Sequence, residues 1–209
     1  MKIGYFSDLH GDLRSLKALE TRYADVMVCG GDLFPDGPGG YGAAYNVREE
    51  YQLKWWNKHK NSFIESMDGK PVLWVRGNHD VCSLYKLMQH IYPDVHDITP
   101  SGVVIDGIRF SGFGNTPVDT DNLTIDRLIL KTLDSNPDVL VTHGPPSTIL
   151  DHGRPEWGLN GLAHYLRNKK HSIKLHLFGH VHEDGGKNQK ASYGTAFYNG
   201  AQRLTFIDL

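Results

Sequence analysis

The side chains of this sequence that could do chemistry stand at the ends of short apolar runs, several of them in pairs. Asp8 and His10 follow Ile3 to Phe6, and Asp32 follows Val26 to Cys29 through Gly30 and Gly31. Gly77, Asn78, His79 and Asp80 follow Val72 to Val75, His143 follows Leu140 to Thr142, and His180 and His182 follow Leu175 to Phe178 after Gly179. Carboxylates, a carboxamide and imidazoles, with no cysteine among them, suit Mn²⁺, Fe, Ni²⁺ or Zn²⁺ better than Ca²⁺ or Mg²⁺ alone and disfavour a closed thiolate zinc site. In an extended chain, two-residue spacing aims Asp8 and His10 the same way, and His180 and His182 likewise. Gly30 and Gly31 allow a tight turn and the close approach of an ion, so the Asp32 carboxylate could bridge two metals. Any one of these pairs is as well read as a turn or a satisfied polar pair. Five strand ends that all deliver metal-compatible side chains point to a metal site.

Such a site needs strands to hold it. Apolar runs predict strands at Lys2 to Phe6, Val26 to Cys29, Pro71 to Val75, Val103 to Ile105, Arg109 to Gly112, Val139 to Thr142, Leu175 to Phe178, Ala196 to Tyr198 and Leu204 to Ile207. Helices are expected on Leu13, Leu16 and Leu19, with Asp12 as cap, and over Asn46 to Phe63, Leu123 to Leu133 and Leu159 to Arg167. The alternation of strands with longer amphipathic stretches predicts an α/β or α+β sheet with its site at the strand ends. Phe34 to Tyr45, rich in glycine and proline, reads as a solvent-facing loop directly after Asp32, and its Tyr41 and Tyr45 are substrate-contact candidates. A second loop, Gly144 to Gly158, leaves the strand end that carries His143. Arg76 and Asn115 are possible phosphate neighbours. Trp55 and Trp56 read as helix core rather than base-stacking surfaces, and Asp80 as a capping or packing carboxylate. His59, His90, His96, His152, His164, His171 and His176 read as surface or packed histidines.

With 209 residues, 39% of them hydrophobic, the chain can bury one substantial core, and one domain over residues 1–209 is expected. A net charge of −2 gives no strong nucleic-acid-binding signature. No apolar run reaches membrane-spanning length, and Met1 leads straight into a strand without a leader. Cys29 and Cys82 have no CxxC spacing, so a disulfide framework is not expected and a reducing cytoplasm is.

The ordered blocks Asp8-Leu9-His10, Gly30-Gly31-Asp32, Gly77-Asn78-His79-Asp80, His143-Gly144 and Gly179-His180-Val181-His182 resemble the calcineurin-like metallophosphoesterase superfamily, over almost the whole chain. The resemblance implies a four-layer αββα sandwich of two mixed β-sheets flanked by helices. It also implies two divalent metal ions, with Mn²⁺ first and Fe, Ni²⁺ or Zn²⁺ as alternatives. Asp8, His10, Asp32 and His182 would hold one ion, and Asp32, Asn78, His143 and His180 the other. His79 would contact the scissile phosphate and assist the leaving group. Two ions so held would supply a bridging hydroxide that attacks phosphorus in line. Thr142 to Pro146, Ile149 to Asp151, Leu177 to Glu183 and Asn199 to Ala201 look like a compact, MPPED-like phosphodiesterase branch. Leu33 after Asp32, where the protein Ser/Thr phosphatase signature carries arginine, weighs against a phosphoprotein substrate. Asp8 in place of cysteine weighs against lariat debranching. The implied substrate is a small phosphate ester or nucleotide. Alternatives are a phosphomonoesterase with the same site, or a metal-binding scaffold without turnover.

Overall fold

The computed structural model describes residues 1–16, 21–114, 116 and 121–209. Strands β1 (Lys2–Phe6), β2 (Val26–Cys29), β3 (Val72–Trp74) and β4 (Val95–Asp97) run parallel, and β11 (Leu204–Asp208) lies antiparallel on β1, in the order β11-β1-β2-β3-β4. The second sheet has the order β5-β6-β7-β8-β10-β9. In it β6 (Ile108–Phe113), β7 (Val139–Thr142), β8 (Leu175–Phe178) and β10 (Ala196–Asn199) are parallel, while β5 (Val103–Ile105) and β9 (Asn188–Lys190) pair antiparallel at its two edges.

Strand periodicity explains the layers. On β1 and β2, Ile3, Tyr5, Val26 and Val28 meet Phe110, Val139, Val141, Leu175 and Leu177 of the other sheet, while the alternate residues Phe6, Met27 and Cys29 turn outward. The outward faces are not solvated either. Phe6, Met27, Cys29 and Trp74 pack against α1 (Tyr45–Met67) and α2 (Leu84–Met88) through Trp56, Phe63, Met67, Leu84 and Met88. On the far side Phe113, Leu140, Phe178 and Phe197 pack against α3 (Asn122–Leu133) and α4 (Asn160–Asn168) through Ile125, Ile129, Leu133, Leu162 and Leu166. Both faces of each sheet are covered, which is why the central strands read as continuous apolar runs rather than alternating ones. The result is the expected four-layer sandwich of two mixed sheets flanked by helices.

Several elements differ from expectation. Asp12 caps a 3₁₀ turn, Leu13–Ser15, by accepting from the Arg14 N–H, and the Leu19 end of the expected helix lies outside the described residues. Strands β4 and β9 and helix α2 were not expected. Each is only three to five residues long, and Asn188–Lys190 is an exposed polar edge without apolar alternation. Tyr45 opens α1 instead of closing a loop.

Candidate metal centre

The residues after β1, β2, β3, β7 and β8 meet where the two sheets present the carboxyl ends of their parallel strands. Extended spacing is not what aims them: Asp8, His10, Asp32 and His180 have φ of 55°, 44°, 51° and 66°. These left-handed residues fold the chain back on itself so that side chains from separate strands converge, a conformation that costs non-glycine residues about 1–3 kcal/mol each and that clusters at functional sites. Close backbone packing supports the bend. A Cβ on Gly77 would meet the Asp32 carboxylate, and one on Gly179 would meet the Asp8 carboxylate and the Ser7 hydroxyl.

Asp8, buried, accepts from the His180 N–H at 3.0 Å and from Ser7 Oγ at 2.5 Å, and its other oxygen lies 3.2 Å from His182 Nε2. Asp32, also buried, accepts from the His79 N–H at 2.7 Å and lies 3.2 Å from His143 Nε2 and 3.9 Å from His10 Nε2. His143 Nδ1 lies 2.8 Å from the Gly30 carbonyl, which accepts only, so Nδ1 carries a hydrogen and donates it. With Nδ1 so used, Nε2 faces Asn78 Oδ1 at 2.9 Å and Asp32 Oδ2 at 3.2 Å. Only a proton or a metal ion on Nε2 can hold these atoms together. The ring of His180 packs at 5.2 Å from that of His143, and His10 lies 5.3 Å from His182.

The charge state without metal carries the same message. Burial alone would lower the His143 pKa, but the Asp32 and Asp8 carboxylates raise it to about 10, so a proton takes the place a cation would fill. Burial works against ionised Asp8 and Asp32 as well, and the surrounding histidines together, His143 foremost, more than offset it, holding both below the usual carboxylate range. Burial pushes His180 down to about 4 and lowers His10, leaving both imidazoles neutral and free to ligate. His182 moves up through its hydrogen bond to Asp8. Donor atoms of Asp8, His10 and His182, and of Asp8, Asp32 and His143, lie within 4.8 Å of one another. Oxygen and nitrogen donors around two buried carboxylates fit a pair of divalent ions.

His79 stands beside this cluster, its ring 4.8 Å from that of His10 and its Nε2 4.0 Å from Asp32. Its Nδ1 is 2.6 Å from Asp36, so the carboxylate fixes the ring, an orienting partner that the sequence reading missed. His10, Asp36 and His79 also come within metal-ligating distance of one another, but the short Asp36 to His79 hydrogen bond already uses that pair. Arg48 and Gln52 of α1 were missed too. Both donate to the His79 carbonyl, at 2.7 and 2.9 Å, while Gln52 accepts from the Val81 and Cys82 N–H groups. Two polar side chains four residues apart, in register with buried Trp56 and Phe63, were the available signal. Asp80 caps as expected, accepting from the N–H groups of Asp32, Gly77 and Phe34.

A cleft of about 510 Å³ opens over the cluster, lined by Asp32, Tyr41, Asn78, His79, Trp157, His180, His182 and Glu183. Tyr41 lies against His79, with ring centroids 4.6 Å apart. Tyr45 does not line this cleft; its hydroxyl reaches the Val81 carbonyl at 3.4 Å. Arg76 also faces elsewhere, bonding the Asp80 carbonyl and lining a separate depression with Tyr45 and Lys86. Asn115 lies outside the described residues.

The calcineurin-like phosphoesterase family model matches residues 1–184. The chain belongs to that family. It is thus a metallophosphoesterase, a hydrolase acting on phosphoric esters, and the family chemistry uses two divalent metals. UPF0046 protein K07C11.7 of Caenorhabditis elegans is 25% identical over 224 residues, which cover 97% of this chain and 70% of that protein. A dimetal phosphatase from Danio rerio superposes with a TM-score of 0.54 at 12% identity, covering 99% of this chain and 91% of its own, a likeness of fold. Among the described residues of this metallophosphoesterase, no helix is long and apolar enough to cross a membrane.

Proposed function

We propose that this metallophosphoesterase is a phosphodiesterase for small or nucleotide-derived esters, working with two divalent ions, Mn²⁺ first. Residues 1–209 form its one domain, and the two buried free thiols, Cys29 and Cys82, suit a reducing cytoplasm. Asp8, His10, Asp32 and His182 would hold one ion and Asp32, Asn78, His143 and His180 the other, with Asp32 common to both sets.

The observation that carries the diester reading is the surroundings of the cluster. Besides the cleft over His79, a second cleft of about 340 Å³ borders Asp8 and His10 and is lined also by Leu9, Asp12, Ser15 and Gln202. Two clefts give room for two organic groups on one phosphorus. Among the described residues lining either cleft there is no lysine or arginine. A diester carries one negative charge and so has less need of charge-assisted hydrogen bonds from cationic side chains than a monoester dianion.

When bound, the two divalent ions lower the pKa of water and offset charge on the phosphoryl oxygens. The rest falls to the protein. Asp36 accepts from His79 Nδ1 and points Nε2 at the cluster, where the imidazolium form would donate its Nε2–H to a phosphoryl oxygen or hand that proton to the departing alkoxide, leaving neutral imidazole. The buried hydrogen bonds of Asp80, Arg48 and Gln52 hold the backbone of that loop still.

The test compares bis(p-nitrophenyl) phosphate with p-nitrophenyl phosphate as substrates for metal-stripped protein, with and without Mn²⁺. Metal-restored cleavage that favours the diester is expected. A monoester preference overturns the diesterase reading, and inactivity on both with Mn²⁺, Fe²⁺, Ni²⁺ or Zn²⁺ overturns turnover itself.

A further inference from the structure

Of the four tryptophans in the chain, Trp56 and Trp74 are buried in the core beneath α1 and α2, and Trp55 packs against that core. Trp157 joins none of the three apolar cores. It is half-buried, ends a 3₁₀ turn (Pro155–Trp157), and presents its indole to the cleft over the metal cluster, with its ring 6.2 Å from that of His180. A large aromatic ring left out of the packing, beside a phosphate site, calls for a purpose of its own.

The ring is also held in place. The Arg154 guanidinium lies over it at 4.2 Å, and Arg154 reaches Glu183, a cleft-lining residue, at 3.9 Å. Arg154 itself is not among the residues lining the cleft, so the cleft meets the indole and not the cation. The loop behind is tied down repeatedly. Asp151 accepts from the Thr148 and Gly153 N–H groups at 2.6 and 3.2 Å, and Asp184 accepts from the His152 N–H at 2.7 Å, joining the loop to the turn that carries His182. Tyr41, which lines the same cleft, lies instead against His79, the residue proposed above to assist the leaving group.

We infer that Trp157, braced by Arg154 and Glu183, is a stacking platform for a planar aromatic group of the substrate, a nucleobase, on the part of the diester that stays attached to phosphorus. The inference rests on the diesterase reading and narrows its substrate class to nucleoside esters. An apolar platform flanked by phosphate-binding chemistry recognises a base by its π-face, which every base offers, so the site selects nucleosides over bare sugars without reading sequence.

Two measurements on the Mn²⁺-loaded protein test it, using wild type, Trp157→Ala, Trp157→Phe and Arg154→Ala. The first is calorimetric binding of adenosine 5′-monophosphate and of ribose 5-phosphate, which share a phosphate and differ in the base. Wild type should bind the nucleotide about 10-fold tighter, within the range that base stacking supplies. Trp157→Ala should abolish that preference, Trp157→Phe keep most of it and Arg154→Ala keep part. The second is the ratio of kcat/KM for thymidine 5′-(p-nitrophenyl phosphate) to that for methyl p-nitrophenyl phosphate, which share a leaving group. That ratio should fall about 10-fold in Trp157→Ala, chiefly through KM. Equal binding of the two monophosphates by wild type, or a ratio unmoved by Trp157→Ala, overturns the platform while leaving diester hydrolysis intact. If wild type cleaves neither diester, the diesterase reading falls, and the binding comparison still decides the platform.

Discussion

Asp80 offers the sharpest test of how the centre is held. Its carboxylate is fully buried and accepts three backbone N–H bonds, from Asp32 at 2.8 Å, Gly77 at 2.9 Å and Phe34 at 3.1 Å. Two of these go to Oδ2 and one to Oδ1. Asp80→Ala strands all three donors away from water, at about 1–3 kcal/mol each, so a loss of roughly 3–9 kcal/mol is expected. That is a large part of the 5–15 kcal/mol of stability typical of a domain of this kind. Asp80→Asn keeps one oxygen, which can serve the Asp32 and Gly77 groups, and turns its NH₂ toward the Phe34 N–H. One donor is then stranded, for about 1–3 kcal/mol. Urea unfolding of the metal-free proteins measures both losses, and metal analysis after dialysis measures the site. The expected order is wild type, then Asn, then Ala, with metal content falling in the same order because the Asp32 backbone is no longer anchored. An alanine variant as stable as wild type, or an asparagine variant as damaged as alanine, would refute the account of Asp80 as a triple backbone cap.

His79→Ala should retain both metals by elemental analysis and lose about 10²- to 10⁴-fold in turnover, whereas Asp32→Ala should lose metal and activity together. A Gly179→Ala side chain would press on the Asp8 carboxylate and the Ser7 hydroxyl, so fewer than two metals per chain and a stability loss of about 1–3 kcal/mol are expected, read by elemental analysis and thermal melting. Chelation should lower the melting temperature, since each ion held at 100 times its Kd contributes about 2.7 kcal/mol to the folded state. His176 provides a pH test. Thr142 Oγ1 donates to the Gly144 carbonyl and receives from His176 Nε2, which leaves His176 Nδ1 buried beside Phe178 and Phe197 without a partner among the described residues. Burial pushes the pKa of His176 down to about 3, so between pH 6.5 and 3 the unfolded chain binds the extra proton and stability falls with falling pH, at up to about 1.4 kcal/mol per unit. Urea midpoints between pH 7 and 5 should fall less steeply in His176→Leu; an unchanged slope would count against a neutral buried imidazole.

The catalytic loop shows where reading the sequence stops. Asn78 and His79 were placed by the apolar run before them, yet the Asp36 that orients His79 lies 43 residues away in a glycine-rich loop, and Arg48 and Gln52 reach the same loop from α1. Nothing local to Asp36 distinguishes it from any turn aspartate. Likewise Tyr41 and Tyr45 sit four residues apart in similar surroundings, and only packing separates them: one ring lies on His79, while the other opens a helix and faces a different depression.

What the sequence determined by itself were the central strands and the donor types at their ends, because burial on both faces writes itself as a continuous apolar run that stops where the site begins. It did not determine how those donors meet. His143 Nδ1 bonds the Gly30 carbonyl across 113 residues, and the His180 N–H bonds Asp8 across 172. Such contacts exist only once two sheets stack with the carboxyl ends of their strands together. The left-handed turns at Asp8, His10, Asp32 and His180 are likewise a tertiary result, since local preference alone disfavours them and the surrounding hydrogen bonds and close glycine contacts hold them in place.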